Sequence, residues 1–182
     1  VYGIDKAKND DVLNKEKRIY MLSQIDNKIP EVRPYQIPFR FLTTLLQIHS
    51  GNIDDVIKYL GDVRPEQEET LRQRAECAWY WVTECAPEEF RFSLRTDGTK
   101  AELTEQETEL VRKIASDVLP KMDGLDEKAL AQAVYDVATA AEIEPKAMFR
   151  VLYQALIGKD QGPRIASFMK IIGRDNLTKI LG

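Results

Sequence analysis

The residues best equipped for chemistry gather at the end of the chain. Residues 145–182 hold 7 Lys+Arg against 2 Asp+Glu, residues 50–144 hold 11 against 22, and residues 1–49 hold 8 against 6. A basic end on a chain of net charge −4 is what a local polyanion site leaves behind. A protein that coats nucleic acid with its whole surface would be basic throughout. At helical spacing, Arg164, Ser167, Lys170 and the following Arg174 fall opposite the apolar arc of Ile165, Phe168, Met169 and Ile172. Lys159 sits in the turn that leads to this helix, where free N–H groups and the positive dipole end favour a phosphate. Several cations along one surface suit contacts to a sugar–phosphate backbone, and a merely solvated basic face has the same spacing.

Aromatic side chains supply the other half of a site for single-stranded RNA, because unstacked bases stack on rings. Tyr35 stands between Arg33 and Arg40 in a segment stiffened by Pro30, Pro34 and Pro38. In Trp79-Tyr80-Trp81 the side chains are about 100° apart on a helix. The two tryptophans flank the core edge and Tyr80 points away from it.

Nucleophilic, acid–base and metal chemistry find no footing. His49 is the single histidine, late in an apolar helix, with no nucleophile or carboxylate indicated as its partner. Glu68-Glu69 and Glu88-Glu89 read as solvated helix faces. The loop Gly158-Lys159-Asp160-Gln161-Gly162-Pro163 lacks both the Lys-Ser/Thr pair and the preceding strand of a phosphate-binding loop. Cys77 and Cys85, eight residues apart on one helix and so about 12 Å apart in rise, cannot bridge. They read as small buried side chains in a reducing, cytoplasmic setting. A single histidine leaves no zinc-type ligand cluster. The chain by itself is expected to be catalytically inert and to need no cofactor.

The elements that must position these residues are helices. Pro38 begins a helix bearing Phe39, Phe41, Leu42, Leu45, Leu46 and Ile48, apolar nearly all round and stopped by Gly51. Asn52 caps a short second helix ended by Gly61. Pro65 opens a third reaching about Ala86, with Leu71, Ala75, Ala78, Val82 and Cys85 along one stripe. Thr104 and Glu107 form a capping-box pattern for a fourth, with Leu110, Val111, Ile114, Val118 and Leu119 inward. A fifth runs from about Asp126 to Ala141. Pro145 to Gly158 and Pro163 to Gly173 bound the next two, and a last short helix covers roughly 175–181. For Ile19-Tyr20-Met21-Leu22 the pattern leaves strand or helix turn open. With 43% apolar and 31% charged residues the composition supports a real core. No run approaches the ~20 apolar residues of a membrane helix. No signal peptide is read in the charged start, and the opening Val1 suggests a fragment or a processed chain. The expectation is an all-α helical bundle in two sub-packets: 1–35 as a connector, 36–100 as a first packet and 101–182 as a second with the basic helices.

The stretches Arg33-Pro34-Tyr35-Gln36-Ile37-Pro38-Phe39-Arg40-Phe41-Leu42 and Val151-Leu152-Tyr153-Gln154-Ala155-Leu156-Ile157-Gly158-Lys159-Asp160-Gln161-Gly162-Pro163-Arg164, followed by Ser167-Phe168 and Ile171-Ile172-Gly173, resemble the C-terminus of class I lysyl-tRNA synthetases. The resemblance implies an α-helix cage that grips the anticodon stem-loop of a lysine-accepting tRNA. It also implies a catalytic domain in cis upstream of Val1, which would hold ATP and magnesium. Neither ATP-handling signature of class I, the His-x-Gly-His element or the Lys-Met-Ser-Lys-Ser loop, occurs in this chain. Arg33, Tyr35, Arg40, Lys159, Arg164 and Lys170 are the candidate RNA contacts, taken as a surface. Other readings stay open: the equivalent domain of a glutamyl-tRNA synthetase, or a protein-interaction module built on the acidic middle and Tyr80. A DNA-binding helix-turn-helix at 145–172 is a poor fit beside so much acidic surface, and no membrane or DNA partner is expected.

Overall fold

The computed structural model describes residues 10–22, 35–96 and 101–182, and every regular element among them is helical. Where the sequence left Ile19–Leu22 undecided, helix α1 spans Asp10–Leu22. Then come α2 (Phe39–Ile48), α3 (Ile53–Leu60) and α4 (Pro65–Tyr80), which runs on into a π-turn at Trp81–Cys85. Helix α5 (Glu105–Lys113) continues through a second π-turn (Ile114–Val118) into a 3-10 turn (Leu119–Gly124). The chain ends with α6 (Glu127–Ala140), α7 (Pro145–Ile157), α8 (Ile165–Ile172) and α9 (Arg174–Leu181). The all-α expectation holds. Among the described residues no helix is long and apolar enough to cross a membrane.

Local chemistry explains the starts. The Asn52 side chain accepts the Asp54 and Asp55 amides at 3.1 and 3.3 Å. Asp126 accepts the Ala129 amide at 2.7 Å. Thr104 and Glu107 close a reciprocal box, Thr104 N–H donating to Glu107 Oε2 at 2.9 Å and Glu107 N–H to Thr104 Oγ1 at 3.3 Å. Donation to that carboxylate from the Thr104 N–H and from the Thr104 hydroxyl (2.9 Å), with the Arg150 guanidinium as a lesser influence, holds the Glu107 carboxyl below its usual range. Helix α8 begins two residues later than its proline suggests, at Ile165, because residues 162–164 are drawn into the turn by Tyr153, whose hydroxyl donates to the Pro163 carbonyl.

By contacts, Ile37–Asp62 and Arg72–Gly182 form one compact unit, while α1 and the first turns of α4 fall in another. In the larger unit, α6 packs on α7 and α8, α5 on α7, and α9 on α7 and α8, with α2 reaching α3 and α8. Phe168, Leu42, Leu45, Leu46, Leu152 and Leu156 are among its fully buried side chains.

The cysteines correct the sequence reading, since both Cys77 and Cys85 are exposed. The Leu71–Ala75–Ala78–Val82 stripe is buried as expected. At the π-turn, however, the Ala86 amide bonds back to the Trp81 carbonyl, five residues away, at 2.8 Å. The wider turn rotates Cys85 off the stripe and brings Ala86 (3% exposed) onto it. Cys77 was off the stripe from the start, by its spacing. Both thiols of the folded chain are therefore expected to react with a thiol-specific disulfide reagent at rates within about tenfold of the urea-unfolded chain. Protection of either by a thousandfold would contradict the rotated register.

Candidate nucleic-acid interface

One face of α2, the irregular segment 89–92 and the turn after α7 line a cleft with a volume of about 640 Å³. From α2 come Arg40, Thr44 and Gln47, at the spacing of one helix face. Gln47 is buried, and both ends of its amide are hydrogen-bonded. Its Nε2 donates to the Thr43 carbonyl at 3.3 Å, and its Oε1 accepts the Phe92 amide at 2.6 Å. That bond fixes residues 89–92 as the second wall. The Arg95 amide donates to the Leu156 carbonyl at 2.9 Å, which ties the same segment to α7. Phe92 in turn meets Phe168 edge to face, centroids 5.4 Å apart.

Gly158 ends α7 in the left-handed conformation (φ 68°). A side chain there would strain the backbone and would also strike the Arg95 guanidinium at 2.7 Å. The glycine thus lets the chain reverse sharply and leaves room for a cation beside the turn. Across the turn, Gln154 Nε2 donates to Asp160 Oδ1 at 2.8 Å, and Lys159 Nζ donates to the Glu88 carbonyl. The result is a pocket lined by the cations Arg40 and Lys159, by Phe90 and Phe92, and by the polar groups of Gln154, Asp160 and Glu89. Phe90 also belongs to an aromatic ladder, in which Trp81 makes T-shaped contacts with Phe39 (5.1 Å) and Phe90 (5.0 Å). Cations beside aromatic side chains are groups that can meet a phosphate and a planar base.

The sequence-derived candidates separate. Arg40 and Lys159 line the same cleft. Arg40 is exposed, and its guanidinium makes no hydrogen bond or ion pair among the described residues. Arg164 lies just past Pro163, in a second groove. Lys170 donates to the Leu125 carbonyl, so its charge caps the 3-10 turn. Arg174 pairs with Asp123 at 2.9 Å, and the Ser167 hydroxyl donates to Glu127 at 2.8 Å. Tyr35 is half-buried in extended chain ahead of α2, and Arg33 lies outside the described residues. Missed from the sequence were Arg95, Phe90 and Phe92. The only local signal for Arg95 was the glycine at 158.

The tryptophans are half-buried and Tyr80 is 65% exposed, as their spacing implied. Trp79 lies over the backbone of Gly51, where an added side chain would meet its ring at 2.5 Å. His49 ends α2 with its Nε2 buried and unpartnered. Burial lowers its pKa, opposed by nearby Asp55.

Residues 41–179 match the family described as the anticodon binding domain. The chain belongs to the anticodon-binding domain family. The matched residues include the whole cleft except Arg40, one position outside the match. The chain is also 41% identical over 181 residues to the lysine–tRNA ligase of Treponema pallidum, covering 99% of the chain and 34% of that protein. The corresponding ligase of Borreliella burgdorferi is 35% identical over 181 residues (98% of the chain, 34% of the relative). That of Methanopyrus kandleri is 34% identical over 186 residues (92% and 32%). The resemblance to lysyl-tRNA synthetases read from residues 33–42 and 151–173 is thereby borne out. This anticodon-binding domain spans about a third of the length of the curated relatives it matches.

Proposed function

We propose that this anticodon-binding domain recognises the anticodon stem-loop of a lysine-accepting tRNA, as the C-terminal part of a class I lysine–tRNA ligase that works in the cytoplasm. The observation that carries the reading is the cleft of Arg40 and Lys159 with Phe90 and Phe92 in its walls, in a chain whose middle is strongly acidic. Arg40 is unpaired and Arg95 stands at the turn, so cations are held where a phosphate–sugar strand would bring its charge. An unstacked base enters against the phenylalanines. Gln154 and Asp160 then offer acceptors to a ring N–H, and the arginines offer donors to ring carbonyls. Arg164 extends the contact beyond the turn, and Arg33 and Tyr35 remain candidates ahead of α2. Lys170 is the weakest member of the set, because it lines neither the Arg40 cleft nor the groove of Arg164 and its ammonium serves the Leu125 carbonyl.

Aminoacylation belongs to the catalytic half in cis, which would bind ATP and magnesium. Among the described residues no group of three or more His, Cys, Asp or Glu is placed to hold a metal ion. The domain's share of the work is binding and positioning, with no bond made or broken on it.

Fluorescence anisotropy with a labelled lysine anticodon stem-loop, and a glutamate stem-loop as control, tests the proposal. A strand held by about three phosphate contacts should show a log–log salt slope near −2, at roughly −0.7 per contact. The lysine loop should bind at least about tenfold tighter, a difference of ~1.4 kcal/mol. Preference for the glutamate loop would move the chain to glutamyl-tRNA synthetases. Absence of binding to the stem-loop and to whole tRNA at low salt would leave the protein-interaction reading in its place.

A further inference from the structure

On the far side of the turn from the Arg40 cleft lies a groove of about 440 Å³ between α6, α7 and the start of α8. We propose that it is a second nucleobase site, taking a base of the same RNA strand whose neighbour occupies the Arg40 cleft. The inference rests on the anticodon-loop reading above and adds a location and a stacking partner that the basic-surface argument does not contain.

Lys128, Ala131 and Tyr135 lie along one face of α6 and reach the groove together with Phe149 and Tyr153 of α7. Tyr135 is a large aromatic side chain left 38% exposed. Phe149 meets it edge to face, centroids 5.2 Å apart and planes at 80°. A ring that is both exposed and fixed in orientation loses little freedom when a base stacks on it. Ala131, a small residue between the two longer ones of its face, leaves space beside that ring. The charge is arranged for an anion. Arg164 and Lys128 line the groove, and neither side chain makes an ion pair or hydrogen bond among the described residues. The carboxylate at the edge, Glu127, accepts the Ser167 hydroxyl at 2.8 Å. Other arginines of this acidic chain are by contrast paired, Arg72 with Asp54, Arg150 with Glu107 and Arg174 with Asp123.

The groove also shares a wall with the first cleft. Pro163 lines the Arg40 side and Arg164, the next residue, lines this one. Tyr153 supports that ridge from beneath: its hydroxyl donates to the Pro163 carbonyl, and its ring lies where a side chain at Gly162 would strike it at 2.7 Å. A strand laid over Pro163–Arg164 would turn one base to each side, with the intervening phosphate above the Arg164 guanidinium. Splayed loop bases are how proteins read single-stranded RNA.

The test uses the 182-residue chain and lysine anticodon stem-loops carrying 2-aminopurine at one loop position at a time. Binding to the unaltered chain should change the fluorescence of at least two positions. Tyr135→Leu should weaken stem-loop binding about tenfold, the scale of one lost base–aromatic stack, and should abolish the fluorescence change at one position while sparing the other. Lys128→Gln lies at an exposed helix site and should lower the salt slope by about 0.7 with no change in thermal stability, which guards against a folding artefact. If Tyr135→Leu and Lys128→Gln both bind as the unaltered chain does while Arg40→Ala binds weakly, the second site is wrong and the proposed function stands. If the unaltered chain binds neither stem-loop nor whole tRNA, both are overturned.

Discussion

Replacing Phe168 with alanine is expected to lower the stability of the larger unit by about 3–5 kcal/mol, the cost of deleting a buried aromatic side chain. Phe168 is 0% exposed and sits mid-way along α8. Helix α8 packs on α6 and reaches α2, so the cavity would open where helices from distant parts of the sequence meet and little can collapse to fill it. The ring also meets Phe92 at 5.4 Å, and such an edge contact adds about 0.5–1.5 kcal/mol beyond area burial. For a unit of this size the loss corresponds to a fall in Tm of roughly 10 °C, read by urea titration and calorimetry. Phe41→Ala is the internal comparison. Phe41 is 36% exposed on α2, and its loss should cost clearly less. A Phe168→Ala loss below about 1 kcal/mol would mean that α8 is not packed as described, since even moderate core truncations cost more.

The same residue shows how stability and site are joined. Phe92 is held from one side by Phe168 and from the other by Gln47, whose Oε1 accepts its amide at 2.6 Å. The cleft wall is therefore an outgrowth of the core, and Phe168→Ala should weaken RNA binding as well as folding. A binding defect in that variant would not identify a contact residue.

What the sequence made legible was whatever is decided within one helical turn. Asn52, Thr104 with Glu107, and Asp126 act on amides two or three residues away, so their type and position suffice. Gly51, Gly61, Gly158 and Gly173 all take positive φ where a helix stops. The π-turn at Trp81–Cys85 was not legible, because it is set by what α4 must bury beyond that point, and it moved Cys85 into solvent. The basic end was legible as composition but not as a surface. Lys159 and Lys170 reach carbonyls at Glu88 and Leu125, 71 and 45 residues away. Backbone acceptors left over at turns have no sequence signature, and they take cations that a helical wheel assigns to solvent. Arg95 had the converse fate. Its guanidinium lies beside Gly158, where an added side chain would have to displace it.

Among the described residues Arg40 is a cleft cation that folding does not use, which makes Arg40→Glu a sharp separation of binding from stability. The side chain is exposed in the first turn of α2 and has no partner among the described residues. Its loss should change folding stability by no more than about 0.5 kcal/mol, and an acidic residue in the first turn interacts favourably with the helix dipole. Binding should respond in the opposite way. The variant removes one charge-assisted contact, a loss of about 1.5–3 kcal/mol. It also adds a carboxylate to a cleft that already contains Glu89 and Asp160, so strand phosphates would face like charge. Together these should weaken anticodon stem-loop binding by about a hundredfold at low salt, ~2.7 kcal/mol. The difference should shrink as salt rises, because screening acts on the repulsion and fewer counterions are released. Arg40→Gln, without the repulsion, should fall between the two. Anisotropy titrations from low to physiological salt, with parallel thermal unfolding, measure both quantities. Equal affinities for Arg40→Glu and the unaltered chain would remove the Arg40 cleft from the RNA interface, however well the fold survived.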